Sequence, residues 1–433
     1  MEERVSSQKA SVIIPVWNGR RFLQNCLDAL LAQEGVDFEV IVVDNASSDG
    51  SASLVAEKFP AVRLIRNKRN LGFAGGCNTG LKVAQGNILV LLNQDTIVRP
   101  NWLRVLSNAL HDHKIGVVGC KIFYPDGKTI QHAGAWIEWP LGLARHYGQG
   151  EQDTGAWDTP RAVEYVTGAA MAFRRDVLER VGFLDEGFWP GYFEDIDFCF
   201  RAREAGYEIW YIPDATLVHE ETTSSPNQQF ISQSYQRGRL RFLLKHMPPA
   251  RFLSQFVPAE RSYQPPAIRG YESRVLRRAY LEATSRAAAI LRRRWQADQG
   301  TTYEVIAALQ HLYHLAWAED WKKTQESLVA TTTTPVASGQ LASDVPAEMA
   351  PTPYLQEFEF QSKTPVVGPL IARFRSLWYN VAARWAMRYL IQQQESVNQA
   401  LVQRLMELTD ETALLAQEIA ILSLQVCESV GKD

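Results

Sequence analysis

The sequence predicts an α/β domain: a mainly parallel sheet with helices on both faces, followed by an α-helical C-terminal extension. Three observations predict it. Short β-branched runs alternate with helical stripes from residue 10 onward. Several of these runs end in residues that favour turns and helix caps. Past residue 245 the alternation stops and arginine-rich amphipathic stretches take over.

Taken in order, Ser11–Val16 is a buried strand that Pro15 brings to its end. Arg20–Gln33 carries Phe22, Leu23, Cys26, Leu27, Leu30 and Leu31 on one helical stripe. Phe38–Val43 is a second strand, stopped by DNASSDG. A helix over Ser51–Lys58, a strand over Val62–Arg66, a helix over Asn78–Ala84, a strand over Asn87–Leu92 and a helix around Trp102–Leu110 continue the series. Strand alternating with helix gives parallel neighbours joined by crossovers.

At 433 residues the chain is long enough for two or three units. The expected division is a polar tail over 1–9, the α/β domain over 10–247, a helical extension over 248–330, a linker over 331–356 and a helical tail over 357–433. A net charge of −3 gives no global field to draw nucleic acid, and none is expected as a partner. The five cysteines (26, 77, 120, 199 and 427) are odd in number and lack a CxxC, which fits reduced thiols rather than a disulfide framework or zinc site. MEERVSSQKA has no apolar core of a signal peptide, and the aliphatic run Ile88–Leu92 is too short to span a bilayer. A cytoplasmic protein, free or peripheral on the inner face of the membrane, is expected.

In such a sheet ligands bind beyond the carboxyl ends of the strands. Trp17 and Asn18, Asp44 and Asn45, and Asn93, Gln94 and Asp95 follow three of these strands. They should converge on one crevice. NLGFAGGCNTG (70–80) is glycine-rich but matches neither the dinucleotide fingerprint nor a P-loop, and reads as a tight connection. Asp95 directly follows the apolar strand. One such carboxylate can anchor Mg²⁺ or Mn²⁺ that a substrate diphosphate then completes; capping the next helix is the alternative.

Phe188–Arg201, FWPGYFEDIDFCFR, sets Glu194, Asp195 and Asp197 among aromatic rings at the start of a helix. Mutual repulsion and burial both raise a carboxylate's pKa toward the range of a general base. The competing reading is an ordinary helix N-terminus, where acids meet the macrodipole.

SVIIPVWN, EVIVVDNASSDGS, RNLGFAGGCNTG, LLNQDT, VTGAAMAFRRDVLERVGFLDEGF and YFEDIDFCFRAREAGYEIWYIPDATLVHE together resemble the family 2 glycosyltransferases, in particular their rhamnosyltransferase-like branch, over about residues 10–245. The resemblance implies a GT-A fold and inverting transfer of a sugar from a nucleotide-diphosphate donor. It implies that Pro15 and Asn18 line the nucleotide pocket, that Asp44 bonds the base, and that Asn70, Gly72 and Asn78 belong to the donor loop. Asp95 takes the last position of the family's D-x-D, which here reads Asn93-Gln94-Asp95. His219 matches the histidine that closes the metal site, and Asp195 the catalytic base. Glu194 then holds the acceptor or biases its neighbour, and Asp197 is left to the fold.

Other residues keep two readings. Trp189 and Tyr192 either stack on a sugar ring or pack the helix start. Tyr235 and Arg237 either support the donor diphosphate or belong to a solvated basic helix. His132 either approaches the acceptor or is an ordinary loop residue.

In the C-terminal half, Tyr271–Trp295 and Thr302–Lys323 read as amphipathic helices, and Thr331–Pro353 as a flexible linker. Residues 368–391 combine an apolar face with arginines and no acid, suiting either a membrane interface or a docked helix. Residues 397–426 approach heptad spacing, which suits a self-associating coiled coil or a local hairpin. The expected partners are thus a nucleotide-sugar donor, a glycan or lipid-linked acceptor, the membrane surface and a second copy. A sugar nucleotidyltransferase would need a basic glycine-rich loop where WNGRRF stands. A non-catalytic scaffold has only the altered D-x-D in its favour.

Overall fold

A computed structural model describes residues 9–220, 228–263 and 270–332. Strands β1 (Ala10–Val16), β2 (Phe38–Asp44), β3 (Arg63–Arg66) and β4 (Ile88–Leu92) alternate with helices α1 (Arg20–Leu31), α2 (Ser51–Lys58) and α3 (Gly72–Leu81). Short β5 (Thr96–Val98) and α4 (Trp102–Ala109) lead into the long β6 (Ile115–Phe123). Then come β7 (Ile130–His132), the hairpin β8 (Ala135–Glu138) and β9 (Leu143–His146), β10 (Arg161–Ala162) and β11 (Ala170–Arg174). Helices α5 (Arg175–Val181) and α6 (Glu194–Glu204) precede β12 (Glu208–His219). The remainder is helical: α7 (Gln228–His246), α8 (Pro249–Arg251), α9 (Val257–Ser262), α10 (Gly270–Trp295) and α11 (Gln299–Thr332).

The main sheet runs β10-β12-β6-β11-β4-β1-β2-β3. Its β4-β1-β2-β3 half is parallel, as the alternation predicts, with Val12 opposite Val40 and Val90. The other half is mixed, because β11 runs antiparallel between β4 and β6. Only a strand reached without a crossover helix from its neighbour can reverse in this way, and a long excursion through β7–β10 separates β6 from β11.

Successive side chains of a strand face opposite sides of the sheet. On β1, Val12 and Ile14 join Leu23, Leu27 and Leu30 of α1 and Leu103 and Leu106 of α4. Ile13 instead joins Ala74, Cys77 and Leu81 of α3 and Phe198 and Ala202 of α6. Every residue of β1 is buried, which explains why it reads as a continuous apolar run rather than an alternating one.

Helix α3 starts at Gly72, six residues before the expected start, and so absorbs most of the glycine-rich stretch. The reason is close packing. A Cβ on Gly76 would sit 2.5 Å from the Asn45 amide, and one on Gly80 would sit 2.4 Å from Ile13. These glycines let a helix lie against the sheet.

The described residues up to 326 form one unit, and α10 packs on α7 within it. Arg239 and Glu260 form a buried ion pair there, joined by the Tyr280 hydroxyl. Cys26, Cys77, Cys120 and Cys199 are buried free thiols, as expected. Among the described residues no helix is long and apolar enough to cross a membrane. The expectations for the linker from residue 333 on, for 368–391 and for 397–426 lie outside the described residues.

Candidate active site

Register places the chemistry on one edge. Val16 pairs with Asp44, Ala170 with Leu92, and His219 with Thr96. The carboxyl ends of β1, β2, β4, β6 and β12 therefore share an edge with the loop that precedes β11. The three polar clusters are joined along it. The Gln94 side-chain amide grips the Trp17 backbone from both sides, accepting from its N–H at 3.0 Å and donating to its carbonyl at 3.3 Å. Asn45 donates to the Gly72 carbonyl at 3.0 Å and accepts from Asn67 at 2.7 Å.

At the β1–β2 end, Asn18 accepts from the Ser48 N–H, and the Asp44 carboxylate accepts from the Ser47 N–H. Pro15 is buried behind them, close to Gly76. Asn70 closes a turn by accepting from the Gly72 N–H at 2.8 Å. Gly72 itself has φ +74°, and a Cβ there would meet both Trp189 and the Pro190 carbonyl. Phe73 donates its N–H to that carbonyl, so the loop over 70–73 is docked on the stretch that carries the acids. Asn78 is turned elsewhere. Its buried amide bonds both the N–H and the carbonyl of Leu184, and also Glu186.

A cleft of about 520 Å³ opens beside this edge. Asn93, His132, Tyr165, Asp195, His219 and Tyr235 are among the residues that line it. His219 Nε2 lies 3.2 Å from Asp95 Oδ1 and 3.3 Å from the Asn93 amide. Its Nδ1 lies 2.9 Å from Gln131 Oε1, an acceptor, so Nδ1 carries a proton and the ring is held with Nε2 toward the carboxylate. With Nε2 unprotonated, that nitrogen and the Asp95 oxygen are close enough to share one cation.

Among the described residues no cluster of three or more His, Cys, Asp or Glu could hold a metal. Asp95 and His219 nevertheless fit Mg²⁺ or Mn²⁺, which commonly bind through one or two carboxylates with substrate phosphates completing the shell. Asn93 stands beside them with its amide nitrogen toward His219 Nε2.

The three acids of α6 are separated by their surroundings. Asp195 accepts from the Gly168 N–H at 2.7 Å and the Ile196 N–H at 2.8 Å. Burial pushes its carboxyl above the usual range, and these bonds moderate the shift. Glu194 is pushed much further up, by burial and then by the charge of Asp195, and its Oε2 is buried without a hydrogen-bond partner. Asp197 is buried too, but His246, Lys245 and Arg201 outweigh that burial and hold it well below the carboxylate range. It ties α6 to α7.

Tyr192 and Phe193 both have positive φ, 78° and 75°, immediately before Glu194. Two bulky residues in the left-handed region are strained. Helix α7 supplies the restraint: Gly238 approaches so closely that a Cβ would sit 2.5 Å from the Tyr192 carbonyl, and Phe193 packs on Tyr235 and Phe242. Phe188 and Phe193 are buried at the helix start, whereas Trp189 and Tyr192 are 48% and 37% exposed. Arg237 does not line the cleft. It pairs with Glu282, and its guanidinium lies 5.9 Å from the centre of the Trp189 ring.

Sequence reasoning missed Gly168, Gln131 and Gly238. Only VTGAAM, which contains Gly168, carried any signal in the sequence; the others act through backbone contacts or pairings distant in the chain.

Residues 11–182 match the family model described as Glycosyl transferase family 2. An uncharacterized protein, y4gI, of Sinorhizobium fredii is 30% identical over 228 residues, covering 49% of this chain and 24% of that protein. The O-antigen biosynthesis protein RfbC of Myxococcus xanthus is 30% identical over 226 residues, covering 50% of this chain and 18% of that protein. An uncharacterized glycosyltransferase, YfnE, of Bacillus subtilis is 28% identical over 261 residues, covering 50% and 66%. The chain thus spans under a quarter of the first two relatives. A solved structure of GalNAc-T7 with UDP, GalNAc and Mn²⁺ superposes with a TM-score of 0.47 at 15% identity, over 64% of this chain and 55% of that one. Residues 11–182 of this chain are thus similar to glycosyl transferase family 2.

Proposed function

We propose that this chain is an inverting glycosyltransferase of GT-A type that moves a sugar from a nucleoside-diphosphate donor to a hydroxyl of a glycan or lipid-linked acceptor. Rhamnose carried on thymidine diphosphate is the donor we favour. Assembly of a cell-surface polysaccharide at the cytoplasmic face of the membrane is the setting, in keeping with the similarity to the O-antigen biosynthesis protein RfbC. The observation that supports the reading most is the pairing, in one cleft, of a half-buried carboxylate raised in pKa with Asn93 and His219, beside which Asp95 stands.

Asp195 takes the proton of the acceptor hydroxyl as its oxygen bonds to the anomeric carbon. The bond from that carbon to the diphosphate oxygen breaks, and its electron pair leaves with the nucleoside diphosphate. Asp95 and His219 would hold a divalent cation, which would supply Lewis-acid stabilisation of the charge on that leaving group. Asn18, Asp44 and Asn45 hold the nucleoside end, Asn70 and Gly72 shape the donor loop, and Trp189 and Tyr192 offer aromatic faces to the sugars. Glu194 stays protonated beside Asp195, which leaves Asp195 the acid that ionises first.

The test is a panel of dTDP-rhamnose, UDP-glucose, UDP-GlcNAc and GDP-mannose, incubated with the full chain with and without Mn²⁺. Release of nucleoside diphosphate from one donor, dependent on metal, is the expected result. Release of pyrophosphate would point to a nucleotidyltransferase. Failure to bind any of the four by calorimetry would favour a scaffold.

A further inference from the structure

Three buried polar atoms in the cleft wall have no hydrogen-bond partner among the described residues: His132 Nε2, Tyr165 Oη and Glu194 Oε2. Each leaves an unmet desolvation cost, which native proteins rarely carry without a ligand or water to meet it. They reach the cleft from β7, from the segment before β11, and from the first turn of α6. In the sheet order, β6 with β7 lies across β4 from β1 and β2, where the nucleotide residues sit.

The His132 ring is held from behind. Its Nδ1 lies 3.0 Å from Nδ1 of His146, with the two rings edge to face at 4.8 Å between centroids. One ring must donate in that contact and the other accept, so the pair fixes the direction of Nε2 while sharing a single proton between the two Nδ1 atoms. Tyr165 packs edge-on against His146 at 5.9 Å.

We propose that His132, Tyr165 and Glu194 form a subsite for the hydroxyl groups of an uncharged sugar acceptor, with His146 as the residue that positions His132. The proposal rests on the glycosyltransferase reading and names the acceptor class for it. A hydroxyl both donates and accepts, so a ring bearing several can satisfy all three atoms at once. Burial keeps this wall neutral. It pushes His132 well below its usual value and His146 down to about 4, and raises the Tyr165 phenol and the Glu194 carboxyl. A neutral wall discriminates against acceptors that bring a carboxylate or phosphate to this point, because burying an unpaired charge is costly.

The experiment titrates methyl β-D-glucopyranoside, methyl β-D-galactopyranoside, methyl α-L-rhamnopyranoside and methyl β-D-glucuronide into the full chain, following the imidazole resonances by NMR. Tyr165→Phe removes only the unpartnered hydroxyl. His132→Gln and His132→Met are alike in size and differ in the polar group. At least one neutral glycoside should shift the His132 and His146 resonances. Tyr165→Phe and His132→Met should each weaken that glycoside about five- to tenfold, as one lost hydrogen bond predicts, and His132→Gln should weaken it less. The proposal is overturned if no neutral glycoside moves these resonances, if the glucuronide binds as well as the neutral sugars, or if both variants bind like wild type. Nucleotide-sugar turnover by the wild-type chain reports on the transferase reading alone, so the two failures are distinguishable.

Discussion

Asp195 accepts a hydrogen bond from the Gly168 N–H at 2.7 Å, which fastens the first turn of α6 to the loop before β11. That bond fixes where the carboxylate points. It also leaves Asp195 in the cleft while Asp197, two residues on, is turned into a cage of Arg201, Lys245 and His246 on the far side of the helix.

Asp195→Asn keeps an oxygen to accept from Gly168 and loses the basic lone pair. On the proposed mechanism kcat should fall by about 10²–10⁴-fold, with donor affinity by calorimetry unchanged. Turnover at the wild-type rate would remove Asp195 from the role of base.

Glu194→Gln should be as stable as wild type or more so near neutral pH. Burial keeps Glu194 protonated in the folded chain at pH values where the unfolded chain has already ionised it. The folded state then binds the extra proton, and stability declines as pH rises from the ordinary carboxylate range toward the raised value, by about 1.4 kcal/mol per unit for one proton. Gln cannot ionise, so urea melts at several pH values should show a shallower decline.

Asp197→Asn should destabilise the fold by about 3–5 kcal/mol, because it leaves cations of a buried network uncompensated. The sign here is opposite to that of Glu194. A carboxyl held below its unfolded value stabilises above the ordinary carboxylate range and loses that contribution as pH falls through its folded value. In the wild type this contribution is lost only in strong acid, and the Asn variant should lack it throughout. Denaturant midpoints at neutral and acid pH check this.

Asp95→Asn and His219→Ala should each weaken Mn²⁺ binding, read by electron paramagnetic resonance in the presence of UDP. Gln131→Leu should also weaken it, by about 10–100-fold, since Gln131 orients the imidazole rather than contacting a cation. Unchanged binding in all three variants would exclude this pair as the metal site.

Asn78→Ala distinguishes a donor-loop residue from a tie between α3 and the segment at Leu184. The tie predicts a loss of about 1–3 kcal/mol of stability, with donor KM unaltered. A raised KM with unchanged melting would return Asn78 to the donor loop.

By itself, the sequence determined most of the strands and helices up to about residue 110, because hydrophobic period and turn chemistry are local. It also determined which acids and amides stand at the strand ends, since a residue that follows a buried strand must emerge at the sheet's edge. The tertiary structure decided what each of them does there. Glu194, Asp195 and Asp197 are nearly adjacent in the chain, yet one is held neutral, one is held by two backbone N–H groups and one is locked to α7. That division depends on His246, Lys245, Gly168 and the close approach of Gly238, residues up to fifty positions away in the chain. A titration or a strained backbone depends on the field and packing around it, and those exist only once distant segments have met.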